Sequence, residues 1–272
     1  MRTRMAWAVV LAIVAAALLA GFLARAPHDH QFREAIGERP SAAFPLGTDD
    51  LGRDRFSRLL YGTRVSLLLA PAAAAASVIA AALLGTLGGF LGGRWERAVA
   101  AAADLTLSLP WLFLLLALRA VLPLNAAPWL VLMVTFGILG LLGWAAPARV
   151  VLAGIREIRN ADFMLAARAR GVSSWRLFAA HLIPNVWPIL LAQFLISIPA
   201  YILAEANLGM LGLGVSESTP SWGNLLRELE NQPDLLLRPA ERWEVFVPVA
   251  VLILAVAAFH ILAGRDRVEV SR

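Results

Sequence analysis

Long apolar runs and short polar stretches alternate along this chain on a scale much longer than the period of an amphipathic helix or strand. A helix crossing the hydrocarbon layer needs about 20 mostly apolar residues. Six stretches qualify, at 5–24, 65–93, 98–121, 128–150, 186–208 and 244–264. The pattern predicts an all-α integral membrane protein with six transmembrane helices. Ala24-Arg25-Ala26 imitates a cleavage site, but the first run exceeds the roughly 7–15 apolar residues of a signal peptide. It is read as an uncleaved span. Two polar stretches stand out between the runs, 25–64 and the island 162–184.

Composition agrees with the pattern. Of 272 residues, 60% are hydrophobic and 16% charged, and the mean hydropathy is +0.71. Soluble domains are about 45–50% apolar and about 25% charged. The absence of cysteine excludes a disulfide framework and thiolate chemistry. All 24 basic residues are arginine, and 19 acids leave a net charge of +5. In a membrane protein such an excess sets orientation and does not point to nucleic acid.

Arginine placement gives the expected topology. Arg2 and Arg4, then Arg94 and Arg97, then Arg149, Arg156, Arg159, Arg168, Arg170 and Arg176, then Arg265, Arg267 and Arg272 fall on one side. That side is the cytoplasm, with both termini in it. The loop between the last two spans carries Glu217, Glu228, Glu230, Asp234 and Glu241 against Arg227, Arg238 and Arg242, so it lies outside. Residues 25–64 also fall outside although they carry seven arginines beside six acids. The charge rule gives no reason for them. Trp95, Trp129, Trp187 and Trp243 fall near span ends, where interfacial aromatics belong.

Gly85/Gly89, Gly88/Gly92 and Gly89/Gly93 are spaced four apart at the end of the second run, a pattern that opens a helix face for close packing. Asp104 and Glu205 fall inside predicted spans, where an acid is costly and a functional candidate. Asp104 is expected near the cytoplasmic interface and Glu205 near the outer end of its span. Pro110, Pro147, Pro188 and Pro199 sit in or beside spans as potential kinks. A chain without lysine holds no Gly-x-x-x-x-Gly-Lys phosphate loop, so it is not expected to bind or split ATP. His28-x-His30 is read as loop rather than metal site. Ser, His and Asp are scattered over both sides, so no nucleophilic triad is expected.

In the island, Asn160 or Asp162 can cap a helix from Phe163 to Arg170, and Gly171 permits a left-handed stop. Ser173 or Ser174 can cap a second helix, Trp175 to Leu182, ending before Pro184. Small Ala166 and Ala167 beside bulky Phe163 and Met164 suit a partner groove, and a connector lying on the bilayer is the other reading.

Leu165-Ala166-Ala167, then Gly171, then His181-Leu-Ile-Pro184 resembles the "EAA" loop of importer-type ABC transporter permeases. Ala, Ala, Gly and Pro match at the family's spacing, while Leu165 stands where the family has Glu. Two further blocks resemble the second ("C"-type) permease subunit of dipeptide, oligopeptide and nickel importers. One is Phe44-Pro-Leu-Gly-Thr-Asp-Asp-Leu-Gly-Arg-Asp-Arg on to Leu67, and the other is Ile202 to Val215 with Pro220-Ser-Trp-Gly-Asn224. The resemblance covers roughly residues 44 to 262.

The resemblance implies the type I ABC importer permease fold in the cell inner membrane. It implies an N-terminal helix with an extracytoplasmic segment over 1–64. A five-helix core follows over 65–264, with a cytoplasmic coupling loop at 151–185, and then a tail at 265–272. Implied partners are a homologous permease, two ABC ATPase subunits that carry ATP and Mg, and an extracytoplasmic solute-binding protein. The resemblance assigns Asp162, Phe163, Met164, Leu165, Ala166, Ala167, Arg170, Gly171 and Pro184 to ATPase coupling. Asp104, Glu205, Asp49, Arg53, Asp54 and Trp222 are candidates for the pathway or an outer gate.

Physically, Thr48 or Asp49 can cap a short helix from Leu51, with Asp54 and Arg58 paired on one face and Leu51, Leu59, Leu60 and Tyr61 forming an apolar one. Pro220-Ser-Trp222-Gly reads as a tight turn with an aromatic anchor. The expected function is import of peptides, with nickel or another solute as the alternative. An ion-coupled transporter using Asp104 and Glu205, or a scaffold, are the other classes. No residue here separates the cargoes.

Overall fold

Asp54 starts the longest helix of the protein. Its carboxylate accepts from the amides of Phe56 at 3.3 Å and Ser57 at 3.1 Å, donors that a helix start otherwise leaves free. A computed structural model describes residues 2–123, 126–211, 214, 218–230 and 242–270. Gly212, Leu213, Val215, Glu217, Asp234, Arg238, Glu241 and Arg272, named above, lie outside them. Within the described residues the helices are α1 (Arg2–Leu18), α2 (Ala20–Leu23), α3 (Arg55–Leu91), α4 (Gly93–Ser108), α5 (Trp111–Val121), α6 (Pro128–Leu142) and α7 (Ala145–Asn160). There follow α8 (Asp162–Ala169), α9 (Ser174–Arg176), α10 (Ile183–Met210), α11 (Trp222–Glu230) and α12 (Val247–Val270). No strand forms among these residues; two isolated bridges, Gln31 with Arg53 and Thr48 with Asp54, pin the segment ahead of α3.

Four helical stretches are long and apolar enough to cross a membrane: Arg55–Leu91, Pro128–Asn160, Ser174–Met210 and Trp243–Gly264. The first apolar run makes a shorter helix, Thr3–Leu18. The run expected as a third span is not one continuous helix. It breaks at Leu109-Pro110 into α4 and α5, because proline lacks the amide that would bond back into the preceding turn.

α3 is the central helix and packs against α1, α4, α6, α7 and α10. The glycine spacing works as packing. A Cβ on Gly89 would lie 2.5 Å from Ile155 Cγ2, and one on Gly85 3.0 Å from Val151 Cβ, so both glycines let α7 lie against α3. The pair Gly89/Gly93 is not part of this face, because α3 ends at Leu91 and Gly92 turns the chain at φ 69°. Arg159 of α7 reaches across that turn and donates to the Gly89 carbonyl at 2.9 Å, a cation at a helix C-terminus.

The main apolar core joins α1, α3, α6, α10, α11 and α12 and includes Trp222. α10 is longer than its apolar run. A π-helical turn, Leu177–Leu182, fuses α9 to α10, so Pro184 falls in a first turn rather than after a stop. Trp95, Trp129, Trp187 and Trp243 are all exposed.

Candidate functional site

Three places bring chemistry-bearing residues together: the island after α7, the segment ahead of α3, and the face shared by α4, α7 and α10.

In the island, α7 ends at Asn160 and the chain turns through Ala161 into α8. Ala161 takes the cap position, and neither Asn160 nor Asp162 makes a side-chain cap; Asp162 lies in the first turn, where its charge still suits the helix end. α8 ends in a left-handed turn at Gly171, φ 76°, as the sequence predicts. Met164 and Ala167 point inward and pack with Leu177, Ile158 and Val172. Met164 therefore holds the knuckle together and is not offered to a partner groove. The outer face carries Asp162, Phe163, Leu165, Ala166 and Arg170, with Gly171 and Pro184 also exposed. Leu165 is 50% exposed and Trp175, beyond the turn, 75%. Trp175 stacks on Phe178 at 5.8 Å, and Phe178 meets Phe90 of α3 edge-on at 5.2 Å. The knuckle is thus continuous with the central helix through rings.

Ahead of α3, the predicted short helix is absent. Asp49 accepts from the Leu51 and Arg53 amides at 3.0 and 2.8 Å and from Arg53 Nε at 2.6 Å, which holds the chain in a loop. Asp54 caps α3 instead of pairing with Arg58. Arg58, fully buried, donates from Nη2 to Glu228 Oε1 at 3.0 Å and lies 3.6 Å from Asp49. Arg55 lies 3.5 Å from Glu228 and donates to the Thr48 carbonyl at 3.1 Å. Burial pushes the Glu228 carboxyl up from its usual range, while Arg58 and Arg55 pull it down. Leu59 and Leu60 are buried as expected, and Leu51 is exposed. Nearby, His28 meets Tyr61 edge-on at 5.1 Å, and burial lowers its pKa.

Trp222 anchors α11. Its indole is fully buried, Nε1 donates to Thr63 Oγ1 at 3.0 Å, and its amide faces Ser66 Oγ at 3.4 Å. The Glu205 carboxylate is buried at the start of the same helix, facing Ser221 and Gly223, where the positive end of α11 favours an acid. α10 and α11 meet without side chains between them: a Cβ on Gly209 would lie 2.6 Å from Gly223 Cα. Asp49, Arg53, Asp54, Glu205 and Trp222 therefore belong to one assembly at one end of the helices, the end expected to lie outside. Sequence reasoning misses Arg55, Thr63, Ser66 and Glu228 as members of it and gives Arg58 the wrong partner. The only clue to them is the unexplained arginine excess of residues 25–64.

Asp104 is not part of that assembly. It lies on α4 and pairs with Arg149 of α7 at 2.8 Å. On one side of the pair is a cavity of about 370 Å³ bordered by α4, α5, α6, α7 and α10, with Gln193, Ser197 and Tyr201 on its wall. On the other is a groove of about 460 Å³ between α4 and α7, with Glu96, Arg97 and Arg156. Among the described residues no group of acids and histidines is placed to hold a metal.

A helical chain with several spans, a structured loop between two of them and a cavity walled by broken helices is a polytopic membrane transport subunit. The chain belongs to the family described as binding-protein-dependent transport system inner membrane component, whose model matches residues 64–265. It is therefore an inner-membrane transport component and not an enzyme. It is similar to the di/tripeptide transport system permease protein DppC of Pseudomonas aeruginosa, 34% identical over 96% of this chain and 85% of that one. The oligopeptide transport system permease protein OppC of Bacillus subtilis is 28% identical over 96% and 83%. The glutathione transport system permease protein GsiD of Pectobacterium atrosepticum is 31% identical over 96% and 84%.

Proposed function

We propose that this chain is one of two permease subunits of an ATP-driven importer of short peptides. The observation that carries the cargo class is that relatives named for di/tripeptide, oligopeptide and glutathione transport align over 96% of the chain. Glutathione is itself a peptide, so the three names share one chemistry. Nickel and other solutes remain the alternative cargo, and no residue in the chain favours them.

In this reading the chain crosses the membrane six times, with α1 and the broken α4–α5 pair completing the count and both termini in the cytoplasm. A homologous permease faces the α4, α7 and α10 side. Two ATPase subunits bind ATP and Mg. One of them receives the exposed face of α8, built from Asp162, Phe163, Leu165, Ala166 and Arg170, with Gly171 as pivot. Met164 and Ala167 brace that helix from behind, and Pro184 opens the first turn of α10. A solute-binding protein meets the outer assembly of Asp49, Arg53, Asp54 and Trp222. Leu165 makes this docking face more apolar than a Glu would. Support for the coupling role is the fusion of the knuckle to α10, because a push on α8 has a rigid element to act on. The family and the Asp104–Arg149 pair favour this reading over an ion-coupled mechanism.

The test is reconstitution with the second permease, the ATPases and the binding protein in vesicles. ATP-dependent accumulation of labelled di- and tripeptides is expected, without nickel uptake; the reverse result overturns the cargo. Gly171→Val forces a β-branched residue into a positive φ. It is expected to lower peptide uptake at least ten-fold while ATP hydrolysis continues, and unchanged uptake overturns the coupling role.

A further inference from the structure

The cavity of about 370 Å³ and the groove of about 460 Å³ lie along one face. On α7 the wall passes through Ala146, Arg149, Ala153 and Arg156, and on α4 through Leu107, Asp104, Ala100 and Arg97, in steps of three or four residues. Such steps keep to one side of a helix. The wall therefore changes character along its length. It is apolar with hydroxyl or amide groups at Thr106, Gln193, Ser197 and Tyr201, and then charged.

Arg149 and Asp104 mark the change. At 57% and 56% exposure their side chains stand open although they are paired. Arg149 comes 20 residues after Trp129, about 30 Å along a helix, which is the thickness of the hydrocarbon layer. The pair thus sits at the inner edge of that layer. A pair facing lipid there would be costly, so this side of α4 and α7 faces the second permease and the path between the two subunits. Past the pair, Glu96 is buried and holds Arg156 at 2.6 Å and Arg159 at 3.5 Å, which fixes the groove wall.

We propose that Asp104 and Arg149 form the inner throat of the transport path and bind the two charged ends of a passing peptide. The inference rests on the peptide-permease reading. A free peptide carries one ammonium and one carboxylate. Asp104 matches the first and Arg149 the second, the latter with the fork geometry that guanidinium offers a carboxylate. An exposed pair is weak, so cargo replaces it at little cost. In the empty state the two side chains close on each other and leave no lone charge at the membrane edge. Peptides blocked at an end gain nothing from the corresponding side chain.

The absence of cysteine makes the first test direct. Ala153→Cys and Ala146→Cys, in the full complex, are expected to react with a charged thiol reagent added from the cytoplasmic side. The readout is the mass of this chain. Peptide is expected to slow both reactions, and failure of both to react overturns the path. The second test compares uptake of a free tripeptide with its C-amidated and N-acetylated forms, each against wild type so that selection by the binding protein cancels. Arg149→Gln is expected to raise KM for the free peptide about ten-fold, the scale of one charged hydrogen bond, and to leave the amide unchanged. Asp104→Asn is expected to do the same for the free peptide while leaving the acetylated one unchanged, and Arg149→Lys to retain most uptake. Equal effects on free and blocked peptides would mean a merely structural pair and overturn the proposal. If wild type takes up no peptide, the functional reading fails; if wild type transports and the variants match it, only the throat fails.

Discussion

Gly209, Gly223 and Glu205 make a tight joint between α10 and α11. Adding one methyl at Gly209 places it 2.6 Å from the Gly223 backbone, which cannot swing aside as a side chain would. Gly209→Ala is expected to destabilise the protein by about 1–3 kcal/mol through overpacking, measured as a lower melting temperature in detergent. An unchanged value would show that α10 and α11 separate freely. His28 supplies a pH dependence. Burial lowers its pKa, Asp29 opposes this, and Arg58 and Arg53 reinforce it. The unfolded segment therefore binds more protons than the folded one just below pH 6.5. Stability of the outer segment falls as pH drops through that window and is level above it. Trypsin cleavage at Arg25, Arg33 and Arg39 is expected to speed up between pH 7.5 and pH 5.5 in wild type and to lose that dependence in His28→Gln. Neither joint is legible in the sequence, because Gly209 and Gly223 meet only after the chain has doubled back, and His28 finds Tyr61 across a loop.

At the scale of elements, the α3–α7 contact depends on glycines whose spacing is legible in the sequence, since period four along a helix is a local property. Their partner is not, because nothing local names α7. Gly89→Ala puts a methyl 2.5 Å from Ile155 Cγ2 and is expected to lower the melting temperature by several degrees. Gly89→Ala with Ile155→Ala is expected to recover part of that loss by returning the space, and strict additivity of the two would argue against direct contact. The left-handed stop at Gly171 is also legible, again because one residue decides it. The start of α3 lies several residues from where the sequence pattern puts a helix. Thr48, Asp49 and Asp54 are all competent caps, and the winner is set by Arg53 and Arg58 drawing Asp49 into a loop. The break at Leu109-Pro110 is in plain view as a proline, but apolar content alone reads across it.

For the whole molecule, hydropathy suffices for the all-helical membrane class and, with three motif blocks, for the family. Residues 25–64 resist because a topology rule counts arginines as free charges. Here Arg53, Arg55 and Arg58 are buried against Asp49, Glu228 and the Thr48 carbonyl, and Arg25 covers the rings of Phe32 and Phe44. These four are structural members of the segment. Pathway residues are only half legible: Asp104 announces itself as an acid in an apolar run, whereas Arg149 looks like one more cytoplasmic charge.

The pairing of Arg58 with Glu228 has a consequence for biogenesis. The two residues are 170 positions apart. At about 5–20 residues per second, synthesis delivers the second roughly 10–35 s after the first. During that interval the segment ahead of α3 has been made but half of its ionic closure does not yet exist. The loop therefore locks only late, and a ribosome that stalls before α11 leaves a chain whose earlier helices are made but whose segment ahead of α3 is open to quality-control proteases.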